Sequence, residues 1–181
     1  MASTSRLLDT PAMGRVLARI ASEIVERTGD AQRVVLVGIQ RRGAELADRL
    51  APLVEPHLAK PLQRGALDIT LYRDDLQAVG PRPVVRETRL PPMLDGATVV
   101  IVDDVLYTGR TVRAALDEIA DFGRPRRILL AVLVDRGGRE LPIQADIVGV
   151  TASTTAADRV VVQVQELDGA DAVDLVHGGG A

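Results

Sequence analysis

Three uninterrupted aliphatic runs constrain this chain more than anything else in it: Val34-Val35-Leu36-Val37, Val99-Val100-Ile101-Val102 and Ile128 to Val134. A strand with one wet face alternates apolar and polar residues, whereas one covered on both faces does not. The runs therefore read as buried strands of a parallel sheet with helices on both faces, an α/β architecture. Met13, Leu17, Ile20 and Ile24 recur at helical spacing and make one apolar face. Thr10-Pro11 is expected to open that helix, with Thr10 as the capping hydroxyl, and Thr28-Gly29-Asp30 to close it.

The same logic extends along the chain. Gly38 to Gly43 reads as a turn, and Ala44, Leu46, Ala47 and Leu50 as a second helix. Pro52, Pro56 and Pro61 are expected to break up the connection after that helix. Leu67-Asp68-Ile69-Thr70-Leu71-Tyr72 alternates and predicts a strand, with a short one at Val84-Val85-Arg86. Arg113 to Phe122 predicts a third helix, stopped by Gly123-Arg124-Pro125. Ile147 to Val150 and Val160 to Val164 are further β segments. In such sheets ligands bind at the carboxyl ends of the strands, which here are Gly38–Gly43, Asp103–Thr111 and Asp135–Gly138.

Composition excludes several functions. The 181 residues contain no cysteine, which removes disulfide frameworks, thiolate metal sites and cysteine nucleophiles. Only His57 and His177 could serve a histidine-based centre. Basic residues number 22 against 25 acidic, so the whole surface does not attract nucleic acid, though a local basic patch could. Aromatic residues are 2% of the chain, too few to stack many bases. No apolar run approaches the roughly 20 residues that cross a bilayer, and the start of the chain lacks a signal-peptide core, so a cytoplasmic protein without membrane contact is expected. The length suits one domain over residues 1–181, with a long charged, proline-rich loop at about 73–92 and a frayed tail at 178–181.

The chemistry is concentrated in one segment. Val99 to Val102 delivers the adjacent acids Asp103 and Asp104 to a strand end, and Tyr107-Thr108-Gly109-Arg110-Thr111 then opens a helix. A helix N-terminus leaves about four backbone N–H groups free and carries partial positive charge. Gly109 lets the backbone approach an anion, and the hydroxyls of Thr108 and Thr111 can donate to it. Taken alone, the acids would merely begin a loop and the threonines cap a helix. Together they make a phosphate cradle beside two carboxylates able to accept from sugar hydroxyls. The segment fits neither a nucleoside-triphosphate P-loop nor a dinucleotide fingerprint.

Val102 to Thr111 resembles the phosphoribosyl diphosphate (PRPP) motif of type I phosphoribosyltransferases. Leu67 to Leu76, Asp103 to Thr111 and Ala131 to Gly137 together resemble the bifunctional pyrimidine operon regulator/uracil phosphoribosyltransferase family, over about Pro11 to Gly149. The resemblance implies the type I fold with a β-hairpin hood, and conversion of uracil and PRPP to UMP and pyrophosphate with Mg²⁺. It implies that Tyr107 to Thr111 hold the 5′-phosphate and that Asp103 and Asp104 hold the ribose hydroxyls and, through PRPP, the magnesium. Gln40, Arg41 and Arg42 would meet the diphosphate, in a loop that in this family often contains a cis peptide. Tyr72, Arg73 and Arg86 would lie on the hood, and Asp135 and Arg136 beside the base.

The family's second role is binding a messenger-RNA leader in response to UMP or UTP, through a basic surface on a homodimer or higher homo-oligomer. Arg15, Arg19 and Arg27, the candidate RNA contacts, and the cluster Arg124, Arg126 and Arg127 are the basic residues that remain. Ser22, Gly138, Gln144 and Val150 stand where that family is commonly basic. Two alternatives therefore stay open: an RNA-binding regulator with vestigial catalysis, and a salvage phosphoribosyltransferase for another base.

Overall fold

The computed structural model describes residues 3–72 and 87–178, with only the backbone of Leu71 and Tyr72. In chain order the elements are β1 (Thr4–Leu8), α1 (Thr10–Thr28), β2 (Val34–Ile39), α2 (Arg42–Val54), β3 (Gln63–Leu67), β4 (Thr98–Leu106), α3 (Arg110–Asp121), β5 (Arg127–Asp135), β6 (Ile147–Thr151), β7 (Arg159–Gln163), α4 (Gln165–Asp168) and β8 (Ala172–Val176). Five of the strands form one parallel sheet in the order β3-β2-β4-β5-β6.

Both faces of that sheet are covered, as the aliphatic runs require. Leu36, Val100, Val102, Leu129, Ala131 and Leu133 pack with Met13, Leu17, Ile20 and Ile24 of α1 and with Leu46 and Leu50 of α2. The alternate residues Val35, Val37, Val99, Ile101, Leu130 and Val132 pack with Val112, Ala115 and Ile119 of α3. Every residue of β2 is buried. Among the described residues no helix is long and apolar enough to cross a membrane.

Several elements differ from expectation. The cap of α1 is Asp9, whose carboxylate accepts from the Ala12 N–H at 2.9 Å, while the Thr10 hydroxyl donates to the Asp171 carbonyl. Two good capping residues stand side by side, and Thr10 is drawn to a distant partner. The expected turn at 38–43 shrinks to two residues, because β2 continues through Ile39 and α2 begins at Arg42. Helix α2 runs through Pro52 to Val54, whose side chain is fully buried. That burial holds the last turn despite the lost hydrogen bond.

The strand expected at 67–72 lies earlier, at Gln63–Leu67. The Asp68 carboxylate accepts from both the N–H and the hydroxyl of Thr70, which turns the chain into a short 3₁₀ segment at Ile69–Tyr72. Leu67 and Ile69 still bury together, so the alternation was genuine but served a turn. Helix α3 begins three residues before Arg113 and ends at Asp121. Strand β7 belongs to a second, antiparallel sheet, β1-β8-β7, whose other members β1 and β8 were not foreseen. The expected hood strand at Val84–Arg86 lies outside the described residues.

Candidate active site

The carboxyl ends of β2, β4 and β5 lie side by side, because these strands are neighbours in register. The first ends in the peptide Gln40–Arg41, which is cis as expected. Two glycines let α2 sit tightly against it. A Cβ on Gly38 would lie 2.3 Å from Ala44 Cα, and one on Gly43 would lie 2.5 Å from the Val102 carbonyl oxygen. Any side chain there would push the loop off the sheet. Arg41 is exposed. Arg42 turns toward α4, where Asp168 accepts from its Nε at 3.1 Å and its Nη2 at 2.8 Å.

Strand β4 runs on to Leu106, so Asp103 and Asp104 stand inside the strand rather than at its end. The alternation slips across them. Val100 and Val102 face α1 and α2, Val105 faces the same way, and Leu106 faces α3. Asp103 is buried and Asp104 half-buried. One oxygen of Asp103 accepts from the Asp104 N–H at 2.9 Å, and one of Asp104 accepts from the Val105 N–H at 2.8 Å. Burial, then the neighbouring Asp104 charge, pushes the Asp103 carboxyl well above its ordinary range.

The cradle follows. Gly109 has φ +94° and is the N-cap of α3, a conformation natural to glycine. Thr108 accepts from the Arg110 N–H through its hydroxyl at 3.3 Å. The Arg110 guanidinium turns outward to Glu140, and Thr111 is half-buried at the first turn of α3. The Tyr107 ring has the Arg136 guanidinium 4.0 Å from its centre.

The β5 end is knitted into the protein. Arg136 is buried and donates to the Thr154 hydroxyl and to the carbonyls of Thr155 and Asp158. Asp135 accepts from the Gly137 N–H and from Arg139. Arg139 drew no notice in the sequence, yet it also donates to the carbonyls of Tyr107, Gly137 and Ile143. Its only sequence signal is the Asp135-to-Arg139 spacing, which is easily overlooked.

Of the hood residues, Arg73 and Arg86 and the Tyr72 side chain lie outside the described residues. The residues on either side of 73–86 are tied to each other and to α3. Ala66 and Arg89 exchange two backbone hydrogen bonds, and Thr88 accepts from the Asp68 N–H and donates to Glu118. On α1, Arg15 and Arg27 are exposed, whereas Arg19 donates to the Val148 and Gly149 carbonyls and pairs with Glu23.

Residues 3–168 match the phosphoribosyl transferase domain family. The chain is 54% identical to the bifunctional protein PyrR of Chloroflexus aurantiacus over 98% of both chains. It is 55% identical to that of Thermus thermophilus, again over 98% of both. The chain belongs to the PyrR family of phosphoribosyltransferases. Solved structures agree in fold: a hypoxanthine phosphoribosyltransferase from Trypanosoma cruzi superposes with a TM-score of 0.73 at 19% identity, covering 97% of this chain and 96% of that one. In this PyrR-family chain the three strand-end segments singled out from sequence come together at one edge of the sheet. Among the described residues, no three histidine, cysteine or acidic side chains cluster as a metal site. The donor set is instead a carboxylate pair, which suits a magnesium ion carried mainly by substrate phosphates.

Proposed function

We propose that the chain is a uracil phosphoribosyltransferase that makes UMP and pyrophosphate from uracil and PRPP. The bond between C1′ and the diphosphate oxygen breaks, the bond from C1′ to uracil N1 forms, and N1 loses its proton. The leaving group is stable, so the protein's task is positioning and charge stabilisation rather than strong base catalysis. The observation that carries this is the convergence of Asp103-Asp104 with the amide-lined turn at 107–111, in a chain 54% identical to PyrR proteins.

In this reading Tyr107, Thr108, Gly109, Arg110 and Thr111 bind the 5′-phosphate. Asp104 accepts from ribose hydroxyls, and the buried Asp103 braces it through the Asp104 N–H. Asp103 and Asp104 would hold a magnesium ion carried in with PRPP, and that ion would supply charge neutralisation at the diphosphate. Gln40, Arg41 and Arg42 face the diphosphate, with Arg42 leaving Asp168 to do so. Tyr72, Arg73 and Arg86 cover it. Asp135 and Arg136 shape the base side from behind, since both are engaged within the protein.

The second half of the reading is uridine-nucleotide-responsive binding of a messenger-RNA leader by a homodimer or higher homo-oligomer, in the cytoplasm, with residues 1–181 as one domain. Exposed Arg15 and Arg27 on α1 favour it. Arg19 contributes less, since its guanidinium already ties α1 to β6. Radiolabelled uracil with PRPP and Mg²⁺ tests the enzyme, and leader-RNA binding on the same preparation tests the regulator. UMP formation supports the first half. Turnover of hypoxanthine but not uracil replaces it with purine salvage, and RNA binding without turnover replaces it with a regulator alone. Equal affinity for leader and scrambled RNA removes the second half.

A further inference from the structure

In a planar trans peptide the carbonyl and the N–H point in opposite directions, so whatever holds the carbonyl also aims the N–H. The Tyr107 carbonyl accepts from the Arg139 guanidinium at 2.9 Å. The next carbonyl, that of Thr108, accepts from the backbone N–H groups of Glu140 and Leu141 at 3.0 and 3.1 Å. Two successive carbonyls are thus drawn toward residues 139–141, and the N–H groups of Thr108 and Gly109 are turned the other way. Among the described residues neither N–H has an acceptor. The same segment also closes the back of the turn, for a Cβ on Gly109 would lie 3.3 to 3.4 Å from the side chains of Ile143 and Leu141.

Arg139 is itself fixed on every side. It donates to the Ile143 carbonyl at 2.9 Å, to the Gly137 carbonyl at 3.1 Å and to Asp135 at 2.5 Å. A guanidinium can do this because its five N–H donors fan out in one rigid plane. A lysine, with a flexible stem and a point charge, cannot meet all four acceptors at once. The Asp135 carboxylate, anchored on the Gly137 N–H, balances the charge.

We propose that Arg139 is a positioning residue for the 5′-phosphate: it fixes the plane of the Tyr107–Thr108 peptide so that the Thr108 N–H faces the anion before it arrives, beside the Gly109 N–H that the Glu140 and Leu141 amides aim. The inference rests on the assignment of the 5′-phosphate to the 107–111 turn. It goes further in naming a residue that touches no substrate atom and in stating how it acts. Pre-aimed amides gain affinity because no reorganisation is needed on binding.

The test titrates ribose 5-phosphate, and separately magnesium pyrophosphate, into wild type, Arg139→Lys and Arg139→Gln by calorimetry, with KM for PRPP and kcat measured alongside. Arg139→Gln is expected to weaken ribose 5-phosphate about tenfold, near 1.4 kcal/mol. Pyrophosphate binding should stay within about twofold, since it engages the β2 loop, and Arg139→Lys should fall between. KM for PRPP should rise more than kcat falls. Equal losses for both ligands, or no loss for either, overturn the proposal. A wild type that ignores ribose 5-phosphate overturns the site assignment and the proposal with it, whereas wild-type binding that survives Arg139→Gln overturns the proposal alone. Should Arg139→Gln not fold, amide NMR on wild type decides. The Thr108 and Gly109 N–H signals should move with ribose 5-phosphate and not with pyrophosphate, and stationary signals during binding overturn the proposal.

Discussion

Asp168 grips Arg42 through both carboxylate oxygens, at 2.8 and 3.1 Å, and so joins the first turn of α2 to the far end of the chain. The Arg42 guanidinium holds the Asp168 carboxyl below its ordinary range. The pair is partly exposed, so it contributes about 1 kcal/mol or less. A diphosphate carries more charge than one carboxylate and should win the arginine. Asp168→Asn is therefore expected to lower KM for PRPP a few-fold (about 2- to 5-fold), with a melting temperature only slightly reduced. An unchanged KM would show that Arg42 does not serve the diphosphate.

Asp104→Asn keeps shape and removes charge. The half-buried carboxylate faces the edge where the sugar is expected, so kcat/KM should fall about 100-fold. The fold should persist, because an amide oxygen can still accept from the Val105 N–H. Steady-state kinetics beside a thermal melt checks both.

Asp103→Asn should behave differently. Burial raises the Asp103 carboxyl in the folded state, so between the unfolded and folded values the native protein binds more protons than the unfolded chain. Stability from this group is present at low pH and is lost as pH rises through the folded value. Melting curves from pH 4 to 8 should show that Asp103→Asn removes this loss and equals or exceeds wild type at neutral pH. A destabilised variant at pH 8 would show that the charge is needed.

Arg49 gives the opposite slope. Its guanidinium bonds both Glu166, at 2.6 and 2.8 Å, and Asp171, at 2.7 and 3.0 Å, and holds both carboxyls below their ordinary range. Their contribution is present above the unfolded carboxyl values and disappears as pH falls through the depressed ones. Arg49→Ala should cost about 1–3 kcal/mol at pH 7 and much less at pH 3, read from denaturant unfolding.

Gly43→Ala tests the close approach of α2 to β4. The new methyl would meet the Val102 carbonyl oxygen at 2.5 Å, and backbone does not step aside cheaply. A loss of about 1–3 kcal/mol is expected, together with weaker PRPP binding. Wild-type affinity and stability would mean that the loop has more room than its packing indicates.

How much the sequence revealed depends on which forces are local. Val34 to Val37 and Val99 to Val102 announced buried parallel strands because double-sided burial is written in consecutive residues. Asp103-Asp104 and Thr108 to Thr111 were visible because sugar-phosphate chemistry needs those groups close together in the chain. The cis Gln40–Arg41 peptide came only through resemblance. Strand β1 was missed because three of its five residues are exposed and its partner β8 lies more than 160 residues away. The 67–72 segment misled because an Asp68–Thr70 turn can imitate alternation. Arg139 stayed hidden because its role depends on the Tyr107 and Ile143 carbonyls, which only the folded chain brings to it.

The strand order carries a consequence for synthesis. Strand β2 leaves the ribosome with two hungry edges, and β3 satisfies only one of them. The other waits for β4, which starts at Thr98, long after β2 ends at Ile39. During that interval a wholly apolar ribbon has an unfilled side, so pairing with another chain competes with completion of the sheet until β4 arrives.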